Sequence, residues 1–175
     1  MHLRIATRED IPAIEALMAA SMAALLPDFL DDKQVERSSE SMGVDTLLVD
    51  DGTYFLVYIG ETLAGCGGWS RRRTLYGANH TSGRDDALAD PATEPAKIRA
   101  MYTHPDFTRR GIGRFLLQAG EDAARAEGFK TMEMGSTAPG RPLYEACDYV
   151  FIEDLSQPSE DGTIVPILRM RKALV

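Results

Sequence analysis

The chain has 175 residues, of which 44% are apolar and 26% are charged, so its composition is that of a folded globular domain and argues against wholesale disorder. Acidic residues outnumber basic ones by 27 to 19, which gives a formal net charge of −8. This balance argues against a broad nucleic-acid-binding or anionic-membrane surface, whereas an acidic shell with local basic sites suits an anionic cofactor and, less strongly, a cationic substrate.

The first half of the chain predicts helices and strands in alternation. Thr7–Asp10 supplies helix-start chemistry before an apolar stripe at helical spacing, and Gly60-Glu61 supplies a tight turn between two strand-like runs. In chain order we predict a strand over 2–6, a helix from Pro12 to about Pro27, a shorter helix within 28–42, and a hairpin of strands over 54–59 and 62–69.

The second half begins with a long irregular loop over 70–95, a kind of segment that is often functional in compact domains. After it we predict a strand over 98–103, a helix from Ile112 to a C-cap at Gly128, a strand over 130–134, a short helix over 142–147, and strands over 149–152 and 164–170. Because strands outnumber helices and only some are separated by helices, we predict one α/β (α+β) domain over 1–175. Its mixed, mostly antiparallel central sheet is flanked by helices.

The two cysteines, Cys66 and Cys147, lie far apart and outside any CxxC pattern, so we predict no zinc site, no other metal site and no disulfide. Cys66 lies in a strand-like run and is predicted to be a small buried apolar residue. The N-terminus lacks signal-peptide features, and the longest apolar run, Met22–Pro27, is too short to span a bilayer. We therefore expect a soluble, cytoplasmic protein.

The strongest chemical signal is the segment Met101–Gly113, MYTHPDFTRRGIG. A strand ends at Thr103, and a basic turn spaced by two glycines opens the next helix. This order places backbone N–H groups, a helix N-terminus and arginines around one point, as phosphate binding requires. The P-loop pattern fails because Arg114-Phe115 follows the last glycine, and the dinucleotide pattern fails because residue 116 is leucine.

The turn resembles the signature of the GCN5-related N-acetyltransferase family, [Gln/Arg]-x-x-Gly-x-[Gly/Ala]. The matching residues are Thr108–Gly113, TRRGIG, with Thr108 in place of the usual glutamine or arginine. A second block, Leu143–Tyr149 (LYEACDY), resembles the family's Phe-Tyr-Glu-Lys-x-Gly-Phe, with Asp148 in place of glycine. Together the resemblance covers about 97–152.

This resemblance implies an acetyl-CoA-dependent N-acetyltransferase that acts on a primary amine of a small molecule or a protein terminus, by direct transfer in a ternary complex. Acetyl-CoA or another acyl-CoA is then the donor, with its pantetheine arm on the backbone of Met101, Tyr102 and Thr103. The resemblance places the pyrophosphate on the backbone N–H groups of Arg109, Arg110, Gly111, Ile112, Gly113 and Arg114. Gly111 and Gly113 would allow close approach of phosphate to the backbone. Thr108 would weaken this binding, and the neighbouring arginines would compensate.

For the chemistry, the resemblance makes Tyr144 the general acid near the CoA sulfur and the Met101 amide the oxyanion partner. The competing interpretation of Tyr144 is a core tyrosine that anchors a short helix. The runner-up function is a catalytically inactive acyl-CoA-binding or regulatory module, which the departures at Lys97 and Asp148 keep open. A homodimer is plausible for the family.

No general base is assigned, because Lys97 stands where many family members have glutamate. Possible substitutes in the preceding loop are His80, Asp85, Asp86 and Glu94. The acceptor pocket is expected to come mostly from 22–45, from the 70–95 loop and from the turn at 158–163.

Three further features each have a functional and a structural interpretation. The run Arg71–Arg73 could draw an anionic substrate or the adenosine 3′-phosphate, or it could be a solvated loop. The acidic residues after the first helix could attract an amine or cap a helix; they are Asp28, Asp31 and Asp32. Trp69 could line the acceptor pocket, although a core tryptophan at a strand end fits it better.

Overall fold

The computed structural model describes all residues, 1–175, and places seven strands in one sheet of spatial order β1-β2-β3-β4-β5-β7-β6. The strands are β1 (His2–Ile5), β2 (Tyr54–Ile59), β3 (Thr62–Ser70), β4 (Ala96–Thr103), β5 (Thr131–Ser136), β6 (Val150–Asp154) and β7 (Leu168–Ala173). The α-helices are α1 (Ile11–Leu25), α2 (Asp32–Ser38), α3 (Thr46–Asp50), α4 (Ile112–Ala126) and α5 (Arg141–Glu145).

All neighbouring strands pair antiparallel except β4 and β5, which are parallel. The predicted fold class, a mixed and mostly antiparallel sheet flanked by helices, is therefore confirmed. The sequence interpretation missed α3, whose five residues are too few to show a helical period. It also placed the last strand too early, because Ile164 forms only an isolated bridge with Pro158 and β7 begins at Leu168.

Helix α1 packs one face onto the sheet through the buried side chains of Ile14, Leu17 and Met18. With its flanking 3-10 turns, the helical run Arg8–Asp28 is long and apolar enough to meet the length and composition of a membrane span. The sequence analysis considered only the shorter run Met22–Pro27, so its expectation that no segment is long enough to span a bilayer was wrong about the length of this helix. Core helices of folded domains also meet this criterion of length and composition. In this chain the buried face of α1 joins an apolar cluster that includes Leu56.

Helix α4 covers the other face of the sheet. It buries Ile112, Leu116 and Leu117, and it approaches β4 so closely that a Cβ on Gly120 would lie 2.9 Å from Ile98 Cδ1. Trp69, at the end of β3, is 2% exposed and joins the same core. The N-terminus of this helix lies near the C-terminal end of β4, since Ile112 packs against Gly65 opposite Thr103.

Strands β4 and β5 separate soon after they begin. Their only paired residues are Ala96 with Met132 and Lys97 with Glu133, although β4 continues to Thr103. Beyond these pairs the two strands diverge into a wedge. The wedge opens the centre of the sheet to a ligand, which a continuous sheet would not do.

Five arginines fasten the irregular 70–95 loop and β4 to the rest of the fold. Four of the carboxylate partners lie outside the loop, whereas Arg73–Glu94 closes the loop on itself, so tertiary contacts and one internal ion pair fix the loop. The ion pairs are Arg71–Glu127, Arg72–Asp51, Arg73–Glu94, Arg84–Asp45 and Arg99–Asp45.

Glu133 lies fully buried on β5 and accepts hydrogen bonds from Arg169 and Arg171. Burial alone would raise the pKa of Glu133, but the two arginines outweigh burial and hold the pKa below its usual value of 4.5. The ionised carboxylate therefore stabilises the fold above about pH 4.5, and this stabilisation is lost as the pH falls through the lowered pKa.

We expect Glu133→Gln to lower the free energy of unfolding by about 2 kcal/mol at pH 7. The deficit relative to the unmutated chain should shrink as the pH falls below about 4.5, because the unfolded chain then takes up a proton that the paired carboxylate of the folded chain resists. Urea denaturation across this range measures it. Glu153→Gln, which removes an exposed partner of the same Arg169, should cost under about 1 kcal/mol. If the difference in unfolding free energy between Glu133→Gln and the unmutated chain did not vary with pH, ionised Glu133 would not be the stabilising group.

Candidate active site

A β-bulge in β4 lies at the mouth of the wedge. The pairing of β3 with β4 skips Ala100 and Met101, which share Gly67 as their opposite residue, and Ala100 has a φ of +51°. This left-handed conformation costs a residue with a Cβ about 1 kcal/mol. The Tyr54 hydroxyl donates to the Ala100 carbonyl at 2.7 Å and supports it. A Cβ on Gly67 would lie 2.4 Å from Met101 Sδ, so this close approach requires glycine.

Two cavities open from the wedge on either side of the bulge. The helix-side cavity, about 690 Å³ with its solvent-open mouth included, lies between α1, α4 and α5 and includes Thr103, Gly113 and Leu143. The loop-side cavity, about 610 Å³ on the same basis, lies under the 75–77 segment and against β5. The two cavities meet, because the same residues line both: Met42, Met101, Tyr102, Thr137 and Tyr144.

The turn before α4 presents a row of free backbone donors. None of the N–H groups from Thr108 to Arg114 donates to a carbonyl in a turn, loop or cap, and the first N–H groups of a helix have no partner within it. Gly111, the N-cap, has a φ of +81°, and a Cβ there would meet nothing within 4 Å. The turn is thus an open set of N–H donors at the positive end of a 15-residue helix.

The two glycines of the turn serve different purposes. The positive φ of Gly111 is the reason for glycine there, and the space beside it is open, as expected for approach of a ligand. At Gly113 a Cβ would lie 2.6 Å from Leu143 Cδ2, so this glycine allows α4 to pack against α5. The sequence interpretation explained both glycines by close approach of phosphate to the backbone. For Gly113 the structure supplies helix packing as an independent reason.

The arginines of the turn are exposed and near the free N–H groups. Arg109 has a φ of +62°, and the Arg110 guanidinium lies 5.0 Å from the Phe107 ring centroid. The Arg114 guanidinium donates to the Ala146 carbonyl at 3.2 Å. None of the three pairs with a carboxylate, so their positive charge is available to an anion.

Tyr144 stands where the two cavities meet. Gly140 makes room for its ring, since a Cβ on Gly140 would lie 2.7 Å from Tyr144 Cε2. The Tyr144 hydroxyl makes no hydrogen bond within the chain, and no fully buried polar side-chain atom lacks a partner, so this hydroxyl is open to the cavities. Burial raises the pKa of Tyr144 well above its ordinary value, which keeps the phenol protonated.

The second sequence block departs from the family pattern at Asp148, and the backbone explains why the substitution is tolerated. Asp148 has a φ of +69°, the left-handed conformation that glycine adopts freely and aspartate adopts more readily than most residues. This turn brings Tyr149 back against α5, where its ring packs edge-on to Tyr144 with centroids 6.1 Å apart.

Sequence reasoning missed a buried ion pair beside the loop-side cavity. Arg99, 3% exposed, donates to Asp45 at 2.9 Å and to the Gly77 carbonyl at 2.7 Å. Burial lowers the pKa of Arg99 although Asp45 opposes this effect. The only local signal was an arginine within a predicted strand, since its partner lies 54 positions earlier.

The residues considered for general base lie away from both cavities. Lys97 is buried, its Nζ donates to the Pro95 carbonyl at 2.6 Å, and it lines neither cavity. Glu94 pairs with Arg73. The remaining candidates also lie outside the lining: His80, Asp85 and Asp86.

Of the other features, the run Arg71–Arg73 is not simply a solvated loop, because Arg71, Arg72 and Arg73 are each paired with a carboxylate. Asp31 caps α2 by accepting from the Gln34 N–H, and Trp69 packs edge-on against Phe129 in the core. Asp28 and Asp32 are exposed and line neither cavity.

Both cysteines are free and buried, as predicted for Cys66. Burial raises the pKa of the Cys66 thiol to about 12, so this thiol is not ionised at neutral pH. Burial also raises the pKa of Cys147. Neither cysteine lines the two cavities.

The segments expected to form the acceptor pocket contribute unequally to the cavities, and the acceptor pocket itself stays a prediction. Residues 41–43 and 75–77 line the loop-side cavity, whereas no residue of the 158–163 turn does. That turn instead contacts the region around α2, where Arg37 pairs with Asp161 at 3.0 Å and the Ser159 hydroxyl donates to Glu40.

Solved structures share this architecture over nearly the whole chain. A GCN5-related N-acetyltransferase from Rhodopseudomonas palustris superposes with a TM-score of 0.70 at 18% identity, covering 98% of this chain and 94% of that one. YncA from Salmonella typhimurium, a putative acetyltransferase solved with acetyl-CoA, gives 0.65 at 19% identity, with 100% and 94% coverage. PaiA N-acetyltransferase from Thermoplasma acidophilum, in complex with coenzyme A, gives 0.65 at 13% identity, with 98% coverage of both chains.

Sequence comparison adds a relative and a family. The uncharacterized N-acetyltransferase YsnE of Bacillus subtilis (strain 168) is 25% identical over 160 residues, which cover 87% of this chain and 93% of that protein. The model of the Acetyltransferase (GNAT) family matches residues 18–149, which include the turn before α4 and Tyr144. The chain therefore belongs to the GNAT family of acetyltransferases.

Proposed function

We propose that this chain is an acetyl-CoA-dependent N-acetyltransferase that forms one domain over 1–175 and acetylates a primary amine by direct transfer in a ternary complex. The observation that carries the proposal is the meeting of two cavities at Tyr144, within the wedge between β4 and β5. A donor on one side and an acceptor on the other would meet at a single proton donor.

The helix-side cavity fits the donor. Gly113, in the first turn of α4, lines it, and the same turn carries the free N–H groups of 108–114 and three arginines without carboxylate partners, which suit a pyrophosphate. Its wall includes Met101, Tyr102 and Thr103, where β4 has left β5 and can pair with an extended arm. The YncA and PaiA structures, which carry acetyl-CoA and coenzyme A, support the assignment of the donor.

Acetyl-CoA supplies an activated acetyl group: its C–S bond breaks, an N–C amide bond forms, and the amine loses one proton while the sulfur gains one. Tyr144 is placed to donate a proton at the junction, because its hydroxyl is unpaired and its raised pKa keeps it protonated. The proton released by the amine restores the phenol through solvent. The bulge at Ala100 turns the β4 backbone toward the same junction, where the Met101 amide can stabilise developing negative charge.

Direct transfer is supported over a covalent acetyl-enzyme. Such an enzyme needs an ionisable nucleophile next to a base, whereas both cysteines are buried with raised pKa values. An inactive binding module is the second candidate, and the departure at Asp148 supports it less than the sequence suggested, because aspartate fits the left-handed conformation there.

The test is thiol release from acetyl-CoA by the purified protein with a panel of primary amines, with the acetylated product identified by mass spectrometry. We expect one thiol per acetylated amine. Tight binding of acetyl-CoA without thiol release for any amine would instead support the binding module.

A further inference from the structure

The lining of the loop-side cavity carries no negative charge. No aspartate or glutamate lines it, and its ionisable side chains are Arg99 and three tyrosines: Tyr76, Tyr102 and Tyr144. The overall charge of −8 therefore does not extend into this cavity.

The carboxylate that pairs with the lining Arg99 is already committed to other cations. Asp45 has a side chain that is 1% exposed and pairs with both Arg84 and Arg99, and Arg84 also pairs with Asp86. These two guanidinium groups and two carboxylates balance, so Asp45 has no charge left to attract an ammonium group in the cavity. A protonated amine would lose its hydration there without gaining a counter-ion.

The remaining wall is largely apolar and aromatic. Leu75 and Tyr76 form one side, and Met134 and Ile167 contribute from the β5 side. Tyr76 lies directly over the sheet, where a Cβ on Gly135 would be 3.0 Å from Tyr76 Cβ. Such a wall favours an apolar or aromatic body over a polar, extended one.

We infer that the acceptor is a weakly basic amine, with a pKa near 8 or below, carried on an apolar or aromatic body, and that the cavity selects against polycationic amines. This inference rests on the proposed function, because it takes the loop-side cavity as the acceptor site. An α-amino group next to a carbonyl has a pKa of about 8, against about 10.4 for an alkylamine, so about 10²-fold more of it is neutral at pH 7. The weak base needs no carboxylate to deprotonate it, which fits a cavity without one.

The experiment compares kcat/KM for L-phenylalaninamide and for spermidine, with thiol release and product mass as readouts. We expect L-phenylalaninamide to be preferred by at least about 10²-fold at pH 7. Its kcat/KM should rise with pH and level off at the pKa of the free amine. Equal use of spermidine, or a preference for it, would overturn the inference while leaving the proposed function intact. Acetyl-CoA binding without thiol release from any amine would overturn both.

A pair of serine variants tests the charge argument directly. Ser41 lines the loop-side cavity, whereas Ser39, two residues earlier, is exposed outside it. We expect Ser41→Asp to raise kcat/KM for spermidine by about tenfold relative to L-phenylalaninamide, because a carboxylate stabilises the ammonium form. Ser39→Asp should leave the ratio unchanged. If both variants changed the ratio of the two kcat/KM values equally, recognition inside the cavity would be contradicted. If Ser41→Asp left that ratio unchanged, the role of charge would be contradicted.

Discussion

Replacing Gly111 by glutamate is expected to weaken acetyl-CoA binding by at least about 100-fold, as measured by isothermal titration. Two effects combine. The φ of +81° strains any residue with a Cβ, and the added carboxylate lies beside the free N–H groups that would receive the pyrophosphate. The space around Gly111 is open, so the new side chain has no steric clash and the chain should still fold.

Gly162→Glu is the matched control. Gly162 has a φ of +82°, also with nothing within 4 Å of a built Cβ, but it lies in a turn away from α4. It reproduces the strain and the charge without touching the donor site, so titration with acetyl-CoA should be unchanged. If Gly111→Glu bound acetyl-CoA as tightly as the Gly162 variant, the turn before α4 would not be the phosphate site.

Tyr144→Phe is expected to lower kcat by about 100-fold while the Kd for acetyl-CoA stays within about twofold. The substitution removes only the hydroxyl, which makes no hydrogen bond within the chain, so the ring packing against Gly140 and Tyr149 is retained. Stopped-flow or continuous thiol assays give kcat, and titration gives the Kd.

Tyr58→Phe removes a tyrosine hydroxyl remote from the wedge, one that accepts a hydrogen bond from Arg4 at 3.0 Å. It should leave kcat unchanged. A kcat for Tyr144→Phe within about threefold of the unmutated chain would show that Tyr144 is a core tyrosine, the competing interpretation of this residue.

The donor half of the candidate site could be predicted because its parts are close together in the sequence. Residues 108–114 are contiguous, and a glycine-spaced turn before an amphipathic helix dictates its own geometry: a left-handed N-cap and unpaired N–H groups. Tyr144 was named only because a short block around α5 resembles the family pattern, and its role stays a prediction. Local chemistry determines such features, and packing changed only the reason for Gly113.

The acceptor half could not be predicted, because charges far apart in sequence cancel there. Glu94 was a candidate for a base until folding paired it with Arg73, 21 positions earlier. Asp45 lost its availability in the same way, to an arginine 54 positions away. Whether a carboxylate is free or neutralised depends on which cation the fold places beside it, and no local pattern contains that information.

By itself, then, the sequence determined the fold class, the family resemblance and the glycine-spaced turn before α4, since each depends on periodicity or on residues within one short segment. The tertiary structure alone decided that β4 and β5 diverge after two residue pairs, that Gly67 accommodates the bulge at Ala100, and that the second cavity has no acidic lining. These features arise where several elements converge, and burial and charge pairing at such a point are properties of the packed assembly rather than of any one segment.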